Sequence, residues 1–237
     1  MNVLRKLITT GAAAMALAAG SAQASVVVLD FEGLDVYPHP NSVQVLEAYN
    51  GGTSSAGFSG TNYGISFSSE ALNICLNTIG TTCSNTSKGG QGIPGSDKGS
   101  LFFLSGTQTF MNIAAGFDTG FSFFYTAVSQ GGSVTVFDDL NGAGNILATL
   151  TLPTTTSGPC PGYGAGFCPF VAAGINFNGI AKSVSFAGVA NQVVFDDVTF
   201  GSSNPGNVPE PMSLALLGVG LAALGFSRRR VAARAAA

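Results

Sequence analysis

The stretch "GSVTVFDDLNGAGNILATLTLP", residues 132–153, carries the clearest structural pattern in this sequence. Its first part alternates small polar residues with Val and Phe, and its last part is rich in Ile, Leu and Thr. These residue types are favoured in β-strands. Between the two parts lies Asn141-Gly142, a pair that favours tight turns because both residues tolerate a positive φ. The stretch therefore predicts a β-hairpin with strands at residues 134–137 and 146–152.

Short β-branched and aromatic runs of the same kind recur through the chain, separated by Gly, Ser, Thr and Asn. They predict further strands within residues 25–34, 62–76, 99–106, 111–128 and 175–201. Two Gly/Ser/Thr-rich segments, residues 78–96 and 154–169, are predicted to be long loops. Residues 25–201 are therefore predicted to form one all-β sandwich of eight to ten strands, without an internal helix.

The charge of this body excludes one class of partner. Residues 25–211 contain all 12 acids of the chain but only three bases, Lys88, Lys98 and Lys182, so their net charge is −9. Phosphate backbones are bound mainly through clustered Lys and Arg. The composition therefore argues against nucleic acid as a partner.

The chain has four cysteines, which form two pairs with equal spacing: Cys75 with Cys83, and Cys160 with Cys168. An even number of cysteines in an exported chain favours disulfides. We expect the two local pairings, although four cysteines allow three connectivities. A zinc site is not expected, because there is no C-x₂-C and His39, in a Pro-flanked loop, is the only histidine.

Both ends of the chain predict targeting segments. Residues 1–24 have a basic start, an apolar centre and a small-x-small site, which predicts a signal peptide cleaved before Ser25. Near the other end, residues 212–226 form an uncharged apolar run, which predicts a single hydrophobic helix. Its 15 residues span roughly 22 Å as a helix, less than the ~30 Å of bilayer hydrocarbon. The Arg cluster that follows is expected to stay cytoplasmic while the body is exported across the inner membrane.

The C-terminal pattern closely resembles the PEP-CTERM sorting signal of exported proteins from Gram-negative bacteria that make extracellular polysaccharide. The residues that carry this resemblance are Val208, Pro209, Glu210, Pro211, Arg228, Arg229 and Arg230. The resemblance implies that exosortase, a transpeptidase-like enzyme of the inner membrane, recognises the segment and cuts near the Pro-Glu-Pro. A short helix suffices if it anchors the chain only transiently. Residues 202–207 would then be a linker, 208–230 the sorting signal and 231–237 a cytoplasmic tail.

The body also resembles the jelly-roll ectodomains found on many PEP-CTERM proteins. The motifs "DFEGL", "NYGISF", "AGFDTGFSFFYTA", "VFDDLNGAGNILATL" and "VVFDDVTFG" occur in the same order. The resemblance implies a jelly-roll-like β-sandwich between the signal peptide and the C-terminal hydrophobic helix. It further implies that the first and last strands lie side by side.

Carboxylates at the two ends of the body are the candidate ligands. Asp30 and Glu32 share one face of the first strand, whereas the adjacent Asp196 and Asp197 should point to opposite faces. Val194, Val198 and Phe200 would share a face with Asp196 and direct it inward. Glu32, Asp196 and Asp197 could converge on a structural Ca²⁺, because oxygen ligands suit this ion. The alternative is that Glu32 and Asp196 cap strand ends and accept backbone hydrogen bonds; no cofactor is required.

No catalytic signature is found in the sequence. A Ser-His-Asp site could use only His39, and there is no G-x-S-x-G motif. We therefore expect a non-enzymatic surface or extracellular-matrix protein associated with exopolysaccharide or biofilm, located at the cell surface or outside the cell. The alternative is a carbohydrate-binding module of jelly-roll type, which would use exposed tyrosines among Tyr37, Tyr49, Tyr63, Tyr125 and Tyr163. A secreted hydrolase is a more remote alternative, since two suitably spaced carboxylates would be enough.

Overall fold

The computed structural model describes residues 26–36, 42–76, 98–155 and 169–206. The predicted signal peptide, sorting signal and tail lie outside these residues, as do most of the two predicted long loops. Within the described part, no helix is long and apolar enough to cross a membrane. The predicted hydrophobic helix at residues 212–226 falls outside this part of the chain.

The described residues form two antiparallel sheets, which pack face to face as a sandwich, so the predicted all-β fold is confirmed. The seven-stranded sheet contains β1 (Val27–Leu29), β2 (Val43–Gln44), β4 (Leu72–Cys75), β5 (Gly99–Phe102), β7 (Gly120–Ala127), β10 (Val171–Asn176) and β12 (Val193–Phe200). The five-stranded sheet contains β3 (Ile65–Phe67), β6 (Gln108–Phe117), β8 (Gly132–Phe137), β9 (Ile146–Leu152) and β11 (Ala181–Gly188). The described part thus has twelve strands, more than the predicted eight to ten. The two-residue β2 and most of β10 were not predicted.

The core lies between the sheets and is dominated by phenylalanine. Phe186 of the five-stranded sheet packs against Phe195 of the other sheet, with ring centroids 4.8 Å apart, and against Phe121 and Phe123. All four side chains are fully buried. Burial of such large apolar surfaces is the main favourable contribution to folding.

The predicted hairpin at residues 132–153 is confirmed. β8 and β9 pair antiparallel, with Gly132 opposite Leu152. The chain reverses through a short 3-10 turn at Leu140–Gly142, in which Asn141 and Gly142 have φ angles of 56° and 72°. Both values are in the left-handed region that Asn and Gly tolerate.

The first and last strands of the body are neighbours, as expected. β1 pairs antiparallel with the C-terminal half of β12, and Leu29 lies opposite Val198. β5 pairs with the same strand further toward its N-terminus, where Leu101 lies opposite Phe195. The end of β1 therefore meets the start of β5 along β12.

A bulge in β12 corrects one prediction about its faces. The pairing of β12 with β7 shifts register between Asp196 and Thr199, and Asp197 has a φ of 47°. The extra residue reverses the in–out alternation. Phe195 before the bulge and Val198 after it both join the main core, whereas Val194 joins a small separate cluster. Asp196 therefore does not share one continuous face with Val194, Val198 and Phe200, as the regular alternation predicted.

Candidate functional site

A cleft of about 380 Å³ lies beside the end of β1. One wall comes from β1 and the turn that follows it and contains Val28, Asp30 and Glu32. The other wall comes from Tyr49 and the loop before β3 and contains Ser59, Gly60, Thr61 and Tyr63. The residues that line the cleft therefore include two acids, two residues with hydroxyl groups and two tyrosines.

Backbone hydrogen bonds fix the tyrosine wall in place. The amides of Tyr63 and Ile65 both donate to the carbonyl of Tyr49, at 2.9 and 3.1 Å, and the Gly60 amide donates to Ala48. A Cβ at Gly60 would lie 2.5 Å from Cε1 of Tyr49, so the loop backbone passes against that ring where only glycine fits. Hydrogen bonds to the backbone of Ala48 and Tyr49, and the contact of Gly60 with the Tyr49 ring, therefore hold this wall in position.

Aromatic contacts connect this wall to the core. Tyr63 is 40% exposed, and its ring stacks on Tyr49 at 6.4 Å with an interplanar angle of 24°. Tyr49 is buried and packs edge-on against Phe31 at 6.1 Å. The Tyr63 ring therefore packs on a buried aromatic side chain and remains partly exposed at the cleft.

Hydrogen bonds also hold the carboxylate wall. Asp30 Oδ1 accepts from the amide of Glu32 at 3.1 Å. Glu32 Oε1 accepts from the amides of Lys98 and Gly99, at 2.7 and 2.8 Å, where β5 begins. Glu32 thereby bridges the junction between β1 and β5, which matches the strand-capping role that the sequence left open.

The three predicted metal ligands are not assembled into a metal site. Asp196 and Asp197 are both fully buried, at the bulge where the register of β12 against β7 shifts. Asp196 Oδ1 accepts from the amide of Asp197 at 2.8 Å, and one oxygen of Glu32 is occupied as described above. Among the described residues, no group of three or more His, Cys, Asp or Glu side chains could hold a metal ion. Glu32, Asp196 and Asp197 therefore do not form the predicted calcium site in this structure.

The tyrosines predicted as sugar platforms have different environments. Tyr125 is buried, its hydroxyl donates to the carbonyl of Pro153, and burial raises its pKa. Tyr49 is buried beneath Tyr63. Tyr37 and Tyr163 lie outside the described residues. Among the described tyrosines, Tyr63 is the one whose ring is exposed enough to contact a ligand.

The cysteines and the histidine are described only in part. Cys75 is buried at the end of β4 and is disulfide-bonded. Cys83, Cys160 and Cys168 lie outside the described residues, as does His39, so the predicted local pairing stays a prediction.

The loop that forms the tyrosine wall was not predicted from the sequence. Tyr63 was among the candidate ligand-binding tyrosines, but Ser59, Gly60 and Thr61 were not candidates. The stretch "SGTNYG", residues 59–64, reads as an ordinary Gly/Asn-rich turn. Its only hint was an aromatic residue placed inside a turn sequence, and the packing of Gly60 on Tyr49 depends on a contact between two separate segments.

Comparisons with known proteins identify the C-terminal segment. The family model of the PEP-CTERM protein-sorting motif matches residues 207–230. A search of the curated proteins found no match. Among solved structures, the chain is similar to a glycoside hydrolase family 43 arabinoxylan arabinofuranohydrolase from Bacillus subtilis in complex with cellotetraose, with 18% identity and a TM-score of 0.35. That match covers 62% of this chain and 30% of the hydrolase chain. The protein is thus a β-sandwich that carries a PEP-CTERM sorting motif, which implies export and processing by exosortase.

Proposed function

We propose that the protein is a non-enzymatic ectodomain that exosortase cuts at the Pro-Glu-Pro and delivers to the cell surface or the extracellular polysaccharide. The observation that carries this proposal is the sorting motif at residues 207–230, which directly follows the described β-sandwich. The inner membrane holds the chain only until it is processed. The sandwich is the part that reaches its destination.

Intact mass of the exported protein tests the sorting step. The full chain is expressed in a host with exosortase, and in the same host without it. We expect the exported form to lack residues 212–237 only where exosortase is present. Replacing both Pro209 and Pro211 by Ala should abolish processing, whereas Asn204→Ala, just upstream of the motif, should not. Retention of the C-terminal segment in the exosortase-positive host would reject the proposal.

A carbohydrate-binding module is the second candidate function. The observation that favours it is the cleft, which combines an exposed aromatic ring with carboxylate and hydroxyl groups. This role is compatible with the first, because binding a saccharide would retain the exported sandwich in the polysaccharide.

A further inference from the structure

We propose that the cleft between the β1 turn and the 59–63 loop binds an uncharged saccharide, with the Tyr63 ring as its stacking platform and Asp30 as a hydrogen-bond acceptor. This inference rests on the proposed association with extracellular polysaccharide, and it specifies the site and the ligand class.

The Tyr63 side chain provides an aromatic platform for a sugar ring. A sugar ring presents an apolar C–H face, and aromatic side chains provide the flat apolar surface that it covers. Tyr63 offers such a surface at the cleft; its ring stacks on Tyr49, which packs edge-on against Phe31. Because backbone hydrogen bonds and Gly60 already fix this wall, binding requires little ordering of the protein.

Polar residues line the same cleft as the Tyr63 ring. An ionised carboxylate accepts hydrogen bonds and does not donate them, which suits the hydroxyl groups of a saccharide. The Asp30 carboxylate is oriented by the Glu32 amide, and Glu32 is held by two amides of the neighbouring strand. Ser59 and Thr61 add hydroxyl groups on the other wall.

The charge of the cleft selects among saccharides. Of the described residues that line the cleft, two are acids and none is a base. The body as a whole carries a net charge of −9. A uronate polymer would meet repulsion here, whereas an uncharged polymer would not. The ligand class is therefore a neutral glycan.

Binding to an array of defined oligosaccharides tests the inference. The purified exported protein is applied to tetrasaccharides of glucose, galactose, mannose and xylose, and to matched tetramers of galacturonate and mannuronate. The best neutral hit is then titrated by calorimetry. We expect saturable binding to at least one neutral tetramer and none to the uronates. Absence of binding to all neutral tetramers, or a preference for uronates, would overturn the inference.

Variants locate the binding to the cleft. Tyr63→Ala should weaken binding of the neutral hit by about tenfold, the order of one aromatic contact. Tyr63→Phe should retain binding, because it keeps the ring. Phe58→Ala is the matched control, since Phe58 is similarly exposed at 37% but does not line the cleft. Thermal unfolding of each variant, with a midpoint close to that of the unmodified protein, confirms that it folds.

The outcomes separate this inference from the sorting proposal. Unchanged affinity of folded Tyr63→Ala would place any binding elsewhere and reject the cleft. Loss of binding in EDTA would mean that a cation mediates recognition, which also rejects the inference. Either result leaves the processing experiment unaffected, and failure of processing would not alter a measured affinity.

Discussion

At the residue scale, single side chains join segments that are distant in sequence. Glu32 is the clearest case, because its carboxylate accepts two backbone hydrogen bonds from residues 98 and 99. Asn73 acts similarly by donating to the carbonyl of Phe31 at 2.6 Å. Ser54 donates to the carbonyl of Leu34 in the same turn. The turn that forms one wall of the cleft is therefore fixed by side chains from elsewhere in the chain.

We predict that Glu32→Ala destabilises the fold by about 2 kcal/mol, because it leaves two amides without their charged acceptor. Glu32→Gln should destabilise the fold less than Glu32→Ala, since its side-chain oxygen can still accept a hydrogen bond from these amides. Denaturant unfolding measures both. The control is Glu70→Ala: the Glu70 carboxylate accepts from the Ser69 hydroxyl at the surface, which lowers its pKa, and it holds no other strand. If Glu32→Ala lowers the free energy of unfolding by no more than Glu70→Ala does, the capping role of Glu32 is contradicted.

At the element scale, the β8–β9 hairpin shows how a local sequence fixes its own turn. Asp138 accepts from the side chain of Asn145 at 2.8 Å and from its backbone amide at 2.6 Å. Gly144 has a φ of 76°, and a Cβ there would collide with Asp138 Oδ1. The turn thus depends on glycine and on an ionised carboxylate within one short segment.

The Asp138 carboxylate should make the stability of this turn depend on pH. Its hydrogen bonds with Asn145, first from the side chain and then from the backbone, lower its pKa below the ordinary value of 3.8. A lowered folded-state pKa means that the stabilisation is present above the unfolded-state pKa and is lost as the pH falls through the folded-state pKa. Asp138→Asn should therefore lower the thermal midpoint at pH 7, and its difference from the unmodified protein should shrink below about pH 4.

The turn between β6 and β7 provides the control for the Asp138→Asn measurements. Asp118→Asn changes an exposed aspartate that accepts from the hydroxyl of Thr119, the next residue, and should leave the thermal midpoint at pH 7 nearly unchanged. A difference between Asp138→Asn and the unmodified protein that stays constant from pH 7 to pH 3 would show that ionisation of Asp138 does not contribute.

At the scale of the whole molecule, the ends of the body meet on β12. β1 and β5 lie in succession along this strand, and the buried Asp196-Asp197 bulge falls between their pairings. This arrangement places the first strand of the body beside the end of the last strand, from which the chain continues toward the sorting motif. Processing at the Pro-Glu-Pro would therefore leave the described strands and their core intact.

Thermal unfolding with calcium and with EDTA tests the calcium site at this closure. Because Glu32 and Asp196 each use an oxygen for backbone amides, and the described carboxylates do not form a metal-binding group, we expect the same midpoint in both conditions. A bound ion would instead stabilise the fold by about 2.7 kcal/mol at a hundredfold excess over Kd. A clearly higher midpoint in calcium would therefore restore the original prediction.

The sequence alone determined the features that depend on local pattern. The period-two runs gave the all-β class, Asn141-Gly142 placed the hairpin turn, and the segment from Val208 to the Arg cluster identified the sorting motif. Each of these is encoded within a few tens of consecutive residues. No partner from elsewhere in the chain is needed to recognise them.

Only the tertiary structure decided which face each side chain occupies around Asp197 and which segments form the cleft. One extra residue in β12 reverses the alternation, and it is visible only in the register against β7. The cleft likewise arises where Glu32 meets the amides of residues 98 and 99 and Gly60 packs on Tyr49. Glu32 is separated by 66 and 67 positions from its two partners, and Gly60 meets Tyr49 across an intervening turn, so these contacts depend on the folded chain.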